Sequence, residues 1–361
     1  MKRSARITIH PEALQHNLNR ARQLAPKSKI LAVIKANAYG HGSVATAGIL
    51  YPIADAFAVS CVPEAIVLRE AGIDLPITVL QGHQTTDDLR IAAELELRLT
   101  IHDDHQLILL DNYSHHHKFL INLKIDSGMH RLGFHPERTG ALFKQLQKHV
   151  QVKADELILM THFSCADDLQ SSYTEEQITC FEEACLNLTA PRSLANSAGI
   201  LGWRKSHTDW VRPGIMLYGS SPFSNKSASE CGLQVAMTFE APVISVHSLK
   251  KGDSIGYAAT WQCPKDMKVA VIACGYADGY PRHAANGTPV WINGSETEIL
   301  GRISMDMIVV NADKHDKTHE QDIKVGDFAE MWGRNLSVDR VATVAETISY
   351  EVLCNAGNIM S

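Results

Sequence analysis

Short strand-like runs recur along the first two thirds of the chain, near 29–35, 56–60, 77–80, 97–101, 118–125, 156–162, 193–197 and 209–212. Between most of them lie segments with helical spacing, for example 64–71, 85–93, 136–149 and 174–189. Residues 11–24 open this series as a helix with Leu14, Leu18 and Leu24 on one side. Alternating strands and helices over about 220 residues predict an N-terminal (β/α)8 barrel of the TIM type. A doubly wound sheet would alternate in the same way, but no G-x-G-x-x-G follows the first strand.

The pattern changes after the polar stretch Ser220-Ser221-Pro222-Phe223-Ser224-Asn225-Lys226-Ser227-Ala228-Ser229. Helical periodicity fades, and strand-like runs follow near 234–248, 268–273, 290–292, 297–300, 307–310 and 328–332. Asn293-Gly294 is a hairpin turn signal, and a short helix is predicted near 338–347. The chain thus divides into a barrel over 1–232 and a mostly β domain over 233–361.

Composition agrees with two domains: 361 residues, 45% apolar and 20% charged. A net charge of −6 offers nothing to nucleic acid or to an anionic membrane surface. The start, Met1-Lys2-Arg3-Ser4-Ala5-Arg6, is basic, but Ile7-Thr8-Ile9 is too short for a signal sequence, and no apolar run could cross a bilayer. A cytoplasmic protein is expected. The eight cysteines are scattered without a C-x-x-C pair and read as reduced thiols. His115-His116-His117 lies in a loop without matched partners, so no metal site is expected.

The chemistry concentrates in Leu31-Ala32-Val33-Ile34-Lys35-Ala36-Asn37-Ala38-Tyr39-Gly40-His41-Gly42. An apolar strand ends in a lysine, and a polar, glycine-punctuated turn follows. A partly desolvated lysine loses basicity and becomes the amine nucleophile that Schiff-base chemistry needs. The blander alternative is a lysine that merely reaches water at a strand end. In a barrel, other polar residues would converge on it from later strand ends: Lys124 and Arg131, His162, Asn196 and Ser197, and Arg212. Each has a structural alternative: a core histidine, a helix cap, a loop-pinning arginine.

V-I-K-A-N-A-Y-G-H-G resembles the cofactor-lysine signature of the pyridoxal-phosphate-dependent alanine racemases, and the resemblance runs through nearly the whole chain. It implies that Lys35 carries pyridoxal 5′-phosphate and that Tyr39 helps hold the phosphate. K-I-D-S-G-M-H-R-L-G-F implies Arg131 as a grip on the substrate carboxylate and Lys124 as a lysine that is carbamylated in some members. T-H-F implies His162 beside the cofactor ring. A-N-S-A-G implies Asn196 and Ser197, and V-R-P-G-I implies Arg212 opposite the pyridine nitrogen with Gly214 and Ile215 at the phosphate. An arginine only donates and stays charged, so it favours an unprotonated ring nitrogen and a weaker electron sink. That suits racemisation better than transamination.

Racemisation needs a proton removed from one face of Cα and returned to the other, and two opposed bases solve that geometry. Lys35 is one. The resemblance implies Tyr257, in Ser254-Ile255-Gly256-Tyr257-Ala258-Ala259-Thr260-Trp261, as the other. It also implies Met305 and Asp306 near the substrate and Tyr350 at the phosphate and entrance. In the family Tyr257, Met305 and Asp306 come from the partner subunit, so a homodimer with shared sites is implied. Alanine, serving cell-wall peptidoglycan or alanine breakdown, is the expected substrate. A broader amino-acid racemase, a pyridoxal decarboxylase, a non-catalytic cofactor carrier and a metal-dependent barrel hydrolase are the competing readings. The full second domain with Tyr257, and Lys35 where a hydrolase wants H-x-H, count against the last two.

Overall fold

The computed structural model describes residues 3–313 and 322–357; Met1 and Lys2 of the basic start lie outside them. Strand β1 (Arg6–Ile9) leads into helix α1 (Pro11–Leu24), which has proline at its first turn, where the missing N–H costs nothing. Leu14 and Leu18 are fully buried, and Leu24 packs partly buried at the same core. Eight strands then follow: β2 (Lys29–Val33), β3 (Ala56–Val59), β4 (Ile77–Val79), β5 (Arg98–Ile101), β6 (Leu120–Lys124), β7 (Ile158–Met160), β8 (Arg192–Ser193) and β9 (Trp210–Val211). They pair in parallel and in sequence, and β9 closes on β2 with Lys29 opposite Trp210. The (β/α)8 barrel is therefore present. Ala56–Val59 is buried at every position because both faces of a barrel strand are covered, which is why it reads as an unbroken apolar run.

The intervening helices are α2 (Ser43–Leu50), α3 (Val62–Glu70), α4 (Thr86–Glu94), α5 (Asp104–Asp111), α6 (Thr139–Lys148), α7 (Tyr173–Ala184) and α8 (Ser197–Gly202). Where strands were expected at 193–197 and 209–212, only Arg192–Ser193 and Trp210–Val211 pair, and Asn196, Ser197 and Arg212 beyond them line the cavity at the barrel mouth.

Beyond the barrel an antiparallel sheet forms around the long strand β10 (Met237–Leu249). The rest comprises β11 (Ser254–Ile255), β12 (Trp261–Gln262), β13 (Met267–Ile272), β14 (Pro289–Ile292), β15 (Ser295–Glu298), β16 (Ile308–Asn311) and β17 (Phe328–Trp332). The main sheet runs β15-β14-β17-β10-β13-β16, and β11 pairs with β12 apart from it. Asn293 and Gly294 both take positive φ, 48° and 85°, in the β14–β15 hairpin, as the turn signal required. Strand β1 also joins this sheet, Ile7 opposite Phe239, so the start of the chain is tied to the second layer.

Two short helices close the fold, α9 (Val338–Val344) and α10 (Ser349–Ala356). The second was not signalled by the sequence pattern. It lies against Gly40, where a Cβ would sit 2.2 Å from the Leu353 carbonyl oxygen. This contact brings the β domain's last helix to the barrel mouth.

Candidate active site

Strand β2 stops at Val33, and Lys35 opens a single left-handed turn: Ala36, Asn37, Ala38 and Tyr39 have φ between 52° and 54°. Four consecutive non-glycine residues in that region cost roughly 1–2 kcal/mol each. Their neighbours hold them there. Ala36 N–H donates to Glu64 Oε1 (2.8 Å), and Ser43 N–H donates to Asn37 Oδ1 (2.8 Å). The fully buried His41 donates from Nδ1 towards the carbonyls of Ala38 and Tyr39 (3.1 and 3.0 Å). Burial pushes His41 down to about 4, so it stays neutral. The turn reverses the backbone at once, sending the Lys35 and Tyr39 side chains to the same cavity.

That cavity, about 580 Å³, sits at the C-terminal ends of the barrel strands. Lys35 is half-buried in it, and burial, reinforced by Arg131, lowers its basicity against the opposing pull of Glu64. The amine is therefore partly desolvated, the condition a strand-end lysine must meet to act as a nucleophile.

Arg212 forms the floor and is 4% exposed. Its Nη1 donates to Ser193 Oγ (2.7 Å), and its Nη2 donates to the carbonyls of Thr161 (2.7 Å) and Leu194 (3.0 Å) and to His162 Nδ1 (3.3 Å). Burial lowers it to about 10, still protonated at neutral pH. Nε is the one guanidinium nitrogen with no acceptor among the described residues. His162 is held well below its usual range by burial and by Arg212, Lys124, Arg131 and Lys35. A neutral imidazole accepting at Nδ1 carries its proton on Nε2. Lys124 is pushed down to about 8 by burial and by Arg212 and Arg131.

At the other end, Ser197 Oγ accepts from the amides of Gly214 (2.9 Å) and Met216 (3.3 Å). With both amides donating to it, the hydroxyl keeps its own proton for another acceptor. Asn196 caps α8, its Oδ1 accepting from Gly199 N–H (2.9 Å). Tyr39 stacks on Tyr218 (4.7 Å between centroids) and tilts against Tyr350 (5.9 Å), while Tyr218 Oη donates to the Val33 carbonyl (2.8 Å). Burial raises the Tyr39 phenol and pushes Tyr350 up to about 12, so both remain donors. A Cβ on Gly214 would stand 2.8 Å from Tyr39 Oη. The glycine leaves room for a cradle of hydroxyls and the Ile215 amide, a donor set suited to a phosphate.

Arg131 hangs over the cavity from a loop that returns on itself: Asp126 N–H donates to the Phe134 carbonyl (2.9 Å) and Phe134 N–H to that of Lys124 (3.0 Å). The structure thus gathers Lys35, Tyr39, Lys124, Arg131, His162, Asn196, Ser197, Arg212, Gly214, Ile215 and Tyr350 around one cavity. Tyr257, Met305 and Asp306 do not line it. Tyr257 and Met305 are 67% and 52% exposed, on two loops packed together where Gly301 meets the Ile255 carbonyl. Asp306 is ion-paired with Arg3, which also grips the buried Asp278.

Four contributors went unread in the sequence: Glu64 and His41, which brace the turn, Tyr218 beneath Tyr39, and Cys354, which lines the cavity from α10. Glu64, Tyr218 and Cys354 carry no signal of their own, since each acts through a tertiary contact, whereas His41 bonds carbonyls two and three residues back within the signature stretch.

A family model described as alanine racemase, N-terminal domain, matches residues 9–222, and one described as alanine racemase, C-terminal domain, matches residues 236–361. The alanine racemase of Halorhodospira halophila is 47% identical over 354 residues, spanning 98% of this chain and 96% of that protein. The crystal structure of biosynthetic alanine racemase from Pseudomonas aeruginosa superposes with a TM-score of 0.93 at 40% identity, covering 99% of this chain and 97% of that one. The alanine racemase from Bartonella henselae, solved with covalently bound pyridoxal phosphate, superposes with a TM-score of 0.86 at 27% identity, covering 98% of this chain and 97% of that one. Matched through both halves and almost end to end, the chain belongs to the alanine racemase family, whose members depend on pyridoxal phosphate.

Proposed function

We propose that the protein interconverts L- and D-alanine, with Lys35 and Tyr257 as opposed bases. The observation that carries the reading is a lysine of lowered basicity facing a cavity whose floor is a buried arginine with a free Nε donor. The residues fit pyridoxal phosphate: Tyr39, Ser197, the Ile215 amide and Tyr350 would hold the phosphate, His162 the ring face, and Arg212 the ring nitrogen. When bound, that group draws electron density from Cα and makes its proton removable.

Lys35 Nζ then takes the proton from one face of Cα, and Tyr257 Oη returns one to the other. Arg131 orients the substrate carboxylate by a charge-assisted contact. Lys124, with a free amine accessible near neutral pH, is the group that carbamylation would convert into an anionic partner for Arg131.

Tyr257, Met305 and Asp306 stand away from the cavity of their own chain and exposed, and this supports a homodimer in which each copy supplies them to the other's site. Among the described residues no helix is long and apolar enough to cross a membrane, which accords with a cytoplasmic enzyme. Incubation with L-alanine and pyridoxal phosphate, followed by chiral analysis, should show D-alanine, and borohydride reduction should label Lys35. Bound cofactor without D-alanine would shift the reading to another amino acid; no bound cofactor would end it.

A further inference from the structure

We propose that the N-terminal mouth of the barrel is a second binding site, for a small carboxylate that bears a hydroxyl group. A separate cavity of about 260 Å³ opens there, ringed by the strand starts at Lys29, Ala56, Arg98, Leu120 and Trp210. Since a water occupies about 30 Å³ of liquid, the space suits a ligand of several heavy atoms.

Its depth is polar. Asn122 is 1% exposed and lines the cavity, and its Oδ1 has no hydrogen-bond partner among the described residues. A buried acceptor left without a donor costs about 1–3 kcal/mol, which a hydroxyl seated beside it would recover. Ser193 accepts from Arg212 Nη1 at 2.7 Å and so retains its own O–H to donate into the cavity.

The rim supplies the charge preference. The Asp55 carboxylate is engaged by Arg22 (3.0 Å) and the Ile30 amide (2.8 Å), and Arg98 is engaged by Glu156. Lys29 forms no ion pair among the described residues, its ammonium lying 5.3 Å from the Trp210 ring centroid. The uncommitted rim charge is therefore positive and selects a carboxylate. No uncommitted carboxylate stands at the depth, where burying an ammonium would cost far more than a hydroxyl.

Ser193 and Met160 join this cavity to the other. Ser193 bonds Arg212, and Met160 lines both spaces. Occupancy below should therefore be felt at the arginine above.

Lactate is the probe, since it lacks the amine with which alanine would take the place of Lys35 on the cofactor. Calorimetric titration of the holoenzyme should give saturable binding with a Kd of about 1 mM or tighter. Asn122→Leu should abolish it, and Lys29→Ala, at the rim, should weaken it about tenfold. In kinetic assays lactate should lower kcat without raising KM for alanine. Absence of saturable binding, binding unchanged in Lys29→Ala, or inhibition purely competitive with alanine would overturn the site. Binding lost in Asn122→Leu from a protein that makes no D-alanine would keep the site and reject only the racemase reading.

Discussion

Lys124 and Gly214 show how single residues set the chemistry of the mouth. Lys124 is pushed down to about 8, against an ordinary value near 10.5, because it is buried among cations. Between those values the unfolded chain binds more protons than the folded one, so stability rises with pH across that window. Below it the folded state carries a buried, repelled charge. Replacing Lys124 by methionine should thus stabilise the protein by about 1–3 kcal/mol at pH 7 in CO₂-free buffer, and the gain should fade towards pH 10.5. Denaturant titration at both pH values checks this; a gain that grew with pH would contradict it. Gly214 faces Tyr39 Oη at 2.8 Å from a built Cβ, and Tyr39 is held by its stack on Tyr218. Gly214→Ala should weaken pyridoxal phosphate binding at least about tenfold, read by absorbance titration.

The elements differ in how far their own residues determine them. Helix α1 was legible at its observed bounds, Pro11–Leu24, since proline marks its start and a leucine stripe its buried side. Strand β3 was legible as an apolar run because it is covered on both faces, whereas the two-residue β8 and β9 were expected longer. The left-handed turn was not legible. Ala36, Asn37 and Ala38 favour ordinary right-handed geometry or turns, and only Glu64, His41 and Ser43 force the other hand. Helix α10 was hidden for a related reason, being short and fixed by its seat on Gly40. Gly40 has φ of 81° as well as this close approach, so Gly40→Ala meets strain and a backbone clash together. It should destabilise the protein by roughly 2–5 kcal/mol and loosen Tyr350, measurable as a lower midpoint in urea and a poorer retention of cofactor.

On the scale of the whole molecule, the sequence motifs and the geometry of one chain part company over Tyr257, Met305 and Asp306. The barrel gathers residues from its strand ends because closure makes those ends converge. The β domain's contribution splits: α10 reaches the chain's own cavity with Tyr350, while the Tyr257 and Met305 loops stay exposed. If a second copy completes the site, Lys35 and Tyr257 of one functional centre lie on different chains. Lys35→Ala and Tyr257→Ala would then each be inactive alone, yet a mixed dimer would contain one centre with both native residues and one with neither. Random reassortment of equal amounts makes half the dimers mixed, so about a quarter of the centres should be restored. Unfolding and refolding the two variants together, then assaying D-alanine formation, reads this directly. Recovery near that fraction establishes shared centres; no recovery, with dimers present, places Lys35 and Tyr257 in the same chain's site. A chain carrying both substitutions, mixed with either variant, should recover nothing, because no centre could then hold both native residues.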